Sequence, residues 1–176
     1  ITLSKDVMTP ETLWAMGRIG SAQASPDGNK IVYQVGYYSV KENRGHQVIY
    51  VMDSDGQNVR QLTTSAKSEG SPVWLDNHTI AFLLDGQIWS MNSDGTNRKK
   101  LSSSDIEIEG FRFSPDGKKV LLIKSIPYYG TIKKNPSDLP KASGRLITDM
   151  NYRHWDHFVD TIAHPFVEEV TANGIS

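Results

Sequence analysis

The chain has 176 residues with 19 basic and 20 acidic side chains, a formal charge of −1, so its electrostatics select neither a nucleic acid nor an anionic membrane as partner. Hydrophobic residues make up 38% and charged residues 22%, with 14 Gly and 8 Pro, which fits an ordinary folded domain and excludes disordered, collagen-like and low-complexity classes. The longest apolar run, Ile80 to Leu84, falls far short of the roughly 20 residues of a helical span. The absence of cysteine removes disulfides, thiolate catalysis and Cys-based zinc sites but leaves the compartment open.

In chain order, residues 1–18 come first as a leading segment. Ile1 to Asp6 shows no basic region followed by an apolar core, so a signal peptide either never existed or has been removed. Thr9-Pro10-Glu11 predicts a short helix ending near Gly17, with Thr9 capping free amides, Pro10 at the first helical position and Glu11 at the positive dipole end. Strands are then expected near Ser21–Ser25, Lys30–Tyr38, Val48–Asp53 and Val59–Leu62, with Ser39–His46 as an enlarged hairpin loop. A second set follows near Ser71–Leu75, Thr79–Leu84, Gln87–Asn92 and Arg98–Leu101, its middle pair joined by an Asp85-Gly86 turn. A third set begins near Glu109–Ser114 and Lys118–Lys124. The Pro-bearing insertion 125–149, with Pro127, Pro136, Pro140 and Lys133-Lys134, interrupts it as a surface excursion. Arg153–Val159 and Ala163–Val170 read as a further strand pair, and Asn173-Gly174 as a turn before an outermost strand beginning at Ile175-Ser176.

These sets are repeats. Ile49–Asn58 lies on Ile88–Asn97 at an offset of 39, matching Met, Ser, Asp, Gly and Asn, and Leu62-Thr63 then falls on Leu101-Ser102. Ser25-Pro26-Asp27-Gly28 returns as Ser114-Pro115-Asp116-Gly117, and Trp74–Phe82 supplies the middle copy with Asp76-Asn77 in place of the Asp-Gly corner. Pro sets the first turn dihedral, Asp caps locally and Gly accepts a positive φ, while the strands are β-branched or aromatic at alternate positions. Four short strands in roughly 40 residues is the period of a propeller blade. The expected fold is therefore all-β, a β-propeller with four-stranded WD40-like blades and a short N-terminal helix. Blade one spans 19–63, blade two 64–104, and blade three, with its insertion and incomplete, 105–176.

The Ser-Pro-Asp-Gly corners and Ser-Asp-Gly turns resemble the propeller repeats of the translocation protein TolB and of the prolyl oligopeptidase superfamily of serine peptidases. Tyr152-Arg153-His154-Trp155-Asp156-His157-Phe158, followed by His164-Pro165-Phe166-Val167, is similar to a third-blade segment of the dipeptidyl and acylaminoacyl peptidases. Leu13-Trp14 to Arg18-Ile19-Gly20 resembles the start of the same propellers. The resemblance implies a secreted or periplasmic peptidase whose propeller filters short peptides for an α/β-hydrolase domain carrying a Ser-Asp-His triad. It implies no cofactor, no nucleic acid and no membrane, and it allows a homo-oligomer. No Gly-x-Ser-x-Gly nucleophile elbow occurs in the sequence, so the hydrolase domain is expected to lie outside this chain. The alternative is a TolB-like interaction module without enzymatic activity.

Arg153 and Trp155 alternate along one strand and are candidates for the substrate channel, the competing reading being a Trp155 packed between blades and an Arg153 paired with Asp156 or Asp160. His154 and His157 differ by an odd number, which on one continuous strand places them on opposite faces and speaks against a metal site with His164. Glu168-Glu169 resembles the acidic pair by which some dipeptidyl peptidases hold a free amine, but successive strand residues face opposite ways. Asp53–Asn58 has the letters of a calcium loop without its spacing and reads as a turn, and Trp74 and Trp89 read as core.

Overall fold

A computed structural model describes residues 7–127, 132–133, 141, 146–147, 153–154, 157–158, 160–172 and 174–175. Helix α1 (Pro10–Ala15) leads into β1 (Arg18–Ala24), β2 (Lys30–Ser39), β3 (Arg44–Asp53) and β4 (Arg60–Gln61), which form one four-stranded antiparallel sheet in chain order. β5 (Glu69–Trp74), β6 (Thr79–Leu84), β7 (Gln87–Asn92) and β8 (Lys99–Lys100) repeat the arrangement. The third sheet joins β9 (Ile108–Phe113) and β10 (Lys119–Pro127) to β15 (Thr161–Thr171) and β16 (Gly174–Ile175). Between β10 and β15 lie two small hairpins, β11 (Ile132–Lys133) with β12 (Leu146–Ile147) and β13 (Arg153–His154) with β14 (His157–Phe158). These are the meander blades that the repeats predict, and the chain has a β-propeller fold.

Local chemistry explains the repetition. Ser25 Oγ donates to Asp27 at 2.6 Å and accepts from the Lys30 amide at 2.9 Å, and Ser114 does the same with Asp116 and the Lys119 amide at the same distances. Each corner thus closes the turn and starts the next strand. The Asp53 amide donates to Gln57 O and the Asn92 amide to Thr96 O, with Gly56 at φ +83° and Gly95 at φ +87°, a region that L side chains avoid. A Cβ on Gly95 would also stand 3.1 Å from Leu62 O, so glycine lets the two blades approach there. The Ile49 amide donates to Thr63 Oγ1 at 2.9 Å and the Ile88 amide to Ser102 Oγ at 2.8 Å, which pins the outer strand of each blade by a buried hydroxyl.

The core lies between sheets. Strand alternation sends Val32, Ile49 and Val51 of blade one against Trp74, Ile80, Phe82 and Met91 of blade two. The other parity of blade two, Ala81 and Ile88, meets Ile108, Val120 and Leu122 of blade three. Polar bonds stitch the same seams: the Trp74 amide donates to Gln23 Oε1 at 2.8 Å, its indole to Gln23 O at 3.1 Å, and the Ile175 amide to Leu101 O at 2.8 Å. Trp74 is buried and Trp89 packs partly buried against the first core, as expected.

Three features differ from the sequence expectation. The Ser39–His46 loop is tighter, because β2 runs to Ser39 and β3 restarts at Arg44; Tyr38 donates to Asn43, which takes φ +47°, and Arg44 holds Ala66 O at 3.2 Å. β5 begins at Glu69 and carries a bulge between Gly70 and Val73, with Ser71 at φ +53°, which re-aims the strand and lets the Ser71 amide reach Gln34 of blade one at 2.7 Å. Among the described residues, Arg153-His154 pairs with His157-Phe158 rather than with the Ala163–Val170 segment, which lies in β15. β15 instead pairs with β10 over Lys119↔Glu169 to Pro127↔Thr161, because only a strand of that length satisfies the long free edge of β10.

Candidate functional site

At the β2–β3 hairpin end of blade one, α1 lies against β2. The Thr9 hydroxyl accepts the Thr12 amide at 3.2 Å, and Trp14 packs on Tyr38 with ring centroids 4.8 Å apart. The Arg18 guanidinium covers the Trp14 ring at 5.3 Å and donates to Leu13 O. A cavity of about 410 Å³ opens here, lined by Glu11, Trp14, Tyr38 and Val40, and one of about 350 Å³ adjoins it beside Tyr37, Glu42, Arg44 and His46. Backbone and Thr9 hydrogen bonds hold Glu11 below the usual carboxylate range, so it stays ionised beside the aromatic shelf. The described serines that anchor turns and outer strands bond to aspartate, glutamine or backbone, as Ser25, Ser102 and Ser114 do, rather than to an activating base.

The sequence-derived candidates distribute as follows. Arg153 opens β13, its backbone opposite Phe158; its side chain and the whole of Trp155 lie outside the described residues. His154 pairs with His157 across the hairpin, which overturns the parity argument: the two sit on antiparallel partner strands, not on one continuous strand. His164 stands on β15 with its ring edge-on to Phe166 at 5.5 Å, and no cluster of metal-binding type forms among the described residues. Glu168 is engaged by Lys124 Nζ at 2.5 Å, and Glu169 pairs in register with Lys119, exposed. Asp53 takes Lys30 at 2.8 Å and Asn58 at 2.6 Å, which is the turn reading rather than a calcium loop.

Two features escaped sequence reasoning. Glu69, fully buried, pairs with Arg98. Tyr50 stacks on Tyr33 at 5.6 Å, lies 3.3 Å from the Tyr37 hydroxyl and donates to Gln61 Oε1 at 3.0 Å. The Tyr37 hydrogen bond, then burial, pushes the Tyr50 phenol up to about 12. Their only sequence signal was the alternation of Tyr33 and Tyr50 with aliphatic residues.

The turn carboxylates set an acid response. Hydroxyls of Ser25 and Ser114, then backbone amides, hold Asp27 and Asp116 below their ordinary value. A depressed folded pKa contributes stability that is present above the unfolded value and is lost as pH falls through the folded one. The unfolding midpoint should therefore drop as the pH falls below the ordinary aspartate range, and Asp27→Asn with Asp116→Asn should flatten that limb. An unchanged limb in the double variant would assign acid sensitivity elsewhere.

Comparison with known proteins follows the fold. No family model matches the chain. It is 35% identical to dipeptidyl-peptidase 5 of Porphyromonas endodontalis over 99% of its length, and 40% identical to dipeptidyl-peptidase 5 of Porphyromonas gingivalis over 93%. The acylaminoacyl peptidase of Pyrococcus horikoshii superposes on 93% of the chain with a TM-score of 0.64 at 15% identity. The chain is a propeller segment of the prolyl oligopeptidase superfamily. It spans only 26% and 25% of the two dipeptidyl peptidases and 25% of the acylaminoacyl peptidase chain.

Proposed function

We propose that this segment belongs to the propeller of a secreted or periplasmic serine aminopeptidase of the dipeptidyl or acylaminoacyl type, and that it governs which short peptides reach a hydrolase domain elsewhere in the polypeptide. The supporting observation is sequence likeness to two dipeptidyl peptidases along nearly all of the segment. The division of labour follows from chemistry. A nucleophile must be activated by an adjacent base and its oxyanion stabilised by preorganised donors, and the sequence contains no elbow serine to be so activated. A ring of blades around a channel supplies selection by size and charge instead. Arg153 and Trp155 are the residues we assign to that channel.

The full polypeptide should release dipeptides or blocked residues from peptide N-termini and react with a serine-directed phosphonate, with no label inside residues 1–176. Arg153→Ala and Trp155→Ala should change discrimination between peptides while phosphonate labelling is retained. A label within these residues would end the division of labour. A full polypeptide that never labels would leave a TolB-like interaction module, and loss of stability without altered discrimination would assign Trp155 to packing.

A further inference from the structure

Asp-Gly occurs five times in the chain, at 27-28, 55-56, 85-86, 94-95 and 116-117. In this pair a main-chain nitrogen, unhindered by a side chain on its own residue, can attack the preceding carboxyl group. The fold restrains four of the five. The amides of Gly28, Gly56, Gly95 and Gly117 donate to Ser25 O, Asp53 O, Asn92 O and Ser114 O at 2.8 to 2.9 Å. Their aspartates are tied as well: Asp27 and Asp116 accept serine hydroxyls at 2.6 Å, Asp55 the Gln57 amide at 2.9 Å, and Asp94 the Thr96 amide at 2.9 Å. Bringing nitrogen and carboxyl carbon together in such a turn breaks these bonds.

Asp85-Gly86, the two-residue loop between β6 and β7, lacks both restraints. Among the described residues the Gly86 amide donates to no acceptor, and the Asp85 carboxylate, 54% exposed, is held by Lys67 Nζ alone. That lysine is 62% exposed, and an ion pair so open to water holds its geometry weakly. Asp85 is also the only one of the five aspartates at positive φ, +51°, with Gly86 at +65°, the pattern of a type I′ turn. Rotating the central peptide toward the II′ form, which keeps φ positive at the first position, carries the Gly86 nitrogen toward Asp85 Cγ. The flanking strands stay where they are.

We propose that Asp85 is a site of spontaneous isomerisation to isoaspartate, through a succinimide formed with Gly86, and that the modification loosens the seam between blades two and three. In the first step the Gly86 nitrogen bonds to Cγ of the protonated carboxyl group, the carboxyl hydroxyl and the amide proton leave as water, and a five-membered imide remains. A second water opens the ring. Cleavage between nitrogen and Cγ restores aspartate; cleavage between nitrogen and the main-chain carbonyl carbon leaves isoaspartate, with one more carbon in the main chain and a free α-carboxylate. The loop has no slack to absorb that carbon. Gly86 O accepts the Ile108 amide at 2.8 Å, and a Cβ on Gly86 would stand 2.7 Å from Glu107 Cβ. Lengthening the loop therefore displaces the acceptor that ties the start of β9 to blade two.

The full polypeptide, native and in guanidinium chloride, is aged at neutral pH in heavy-oxygen water until all five aspartates of the denatured sample carry label, since ring opening leaves one heavy oxygen in either product. Peptide mass spectrometry should then find Asp85 of the native protein labelled at least about fivefold more than Asp27, Asp55, Asp94 or Asp116, the factor that one retained turn hydrogen bond is worth. In hydrogen exchange, the peptide holding Ile108 should acquire a faster-exchanging subpopulation as large as the isoaspartate fraction. Asp85→Glu should acquire none, because its longer side chain would have to close a six-membered ring. Label absent from Asp85, or as strong at any of the other four, overturns the site. Label at Asp85 with the protection of Ile108 unchanged overturns the loosened seam. Both readouts are independent of peptidase activity.

Discussion

Phe82→Ala is expected to cost about 3–5 kcal/mol of stability. The ring is 0% exposed, sits among Val32, Ile49, Val51 and Ile80, and carries the Arg98 guanidinium 5.1 Å from its centroid. Its loss opens a cavity in a seam held from both sides by sheets, and hydrogen-bonded strands cannot collapse to fill it. The damage should be local, because blade two meets blade three through the opposite parity of β6, Ala81 and Leu83. Native-state hydrogen exchange should show the amides of β2, β3, β6 and β7 opening more readily, with a smaller change in β10. Val59→Ala, at a side chain 56% exposed just before β4, is the control and should cost about 1 kcal/mol or less. A cost below that for Phe82→Ala would contradict face-to-face packing of blades one and two.

The blade architecture was legible because its determinants are local. Ser25-Pro26-Asp27-Gly28 and Asn92-Ser93-Asp94-Gly95 encode their turns through dihedral preference and hydrogen bonds two to five residues away, so the letters suffice. The alternation of Ile80, Ala81 and Phe82 likewise announces a strand buried on both faces. What the sequence left ambiguous was non-local. Whether 163–170 meets 153–159 or β10 depends on which edge is free, and nothing in either segment states that. His154 and His157 become partners across the β13–β14 pairing, which a parity count along one strand does not include. Glu69 stands two residues before the strand expected at Ser71, and no local sequence signal marks it as buried. The channel candidates came from resemblance, and Arg153 is placed only by its backbone in β13.

Glu69 and Arg98 carry the second large effect. The Glu69 side chain is 0% exposed and Arg98 31% exposed; one carboxylate oxygen takes the guanidinium, and among the described residues the other has no hydrogen-bond partner. A buried ion pair with an unsatisfied oxygen contributes little net stability, since desolvation offsets the attraction, yet removing one partner strands a charge in a low-dielectric seam. Arg98→Met should therefore cost about 3–5 kcal/mol, slightly increased by the lost contact with the Phe82 ring. Glu69→Leu alone should cost less, because Arg98 reaches water and the leucine satisfies an apolar surround that includes Phe82 and Leu84. The double variant Glu69→Leu, Arg98→Met should recover most of the loss, giving a coupling energy of roughly 2 kcal/mol or more in a double-mutant cycle. Unfolding midpoints of the four proteins supply the cycle. If Arg98→Met were nearly neutral, Glu69 would be compensated by something other than this guanidinium. If instead the double variant were as unstable as Arg98→Met, shape rather than charge would decide the seam, because removing the carboxylate would then relieve nothing.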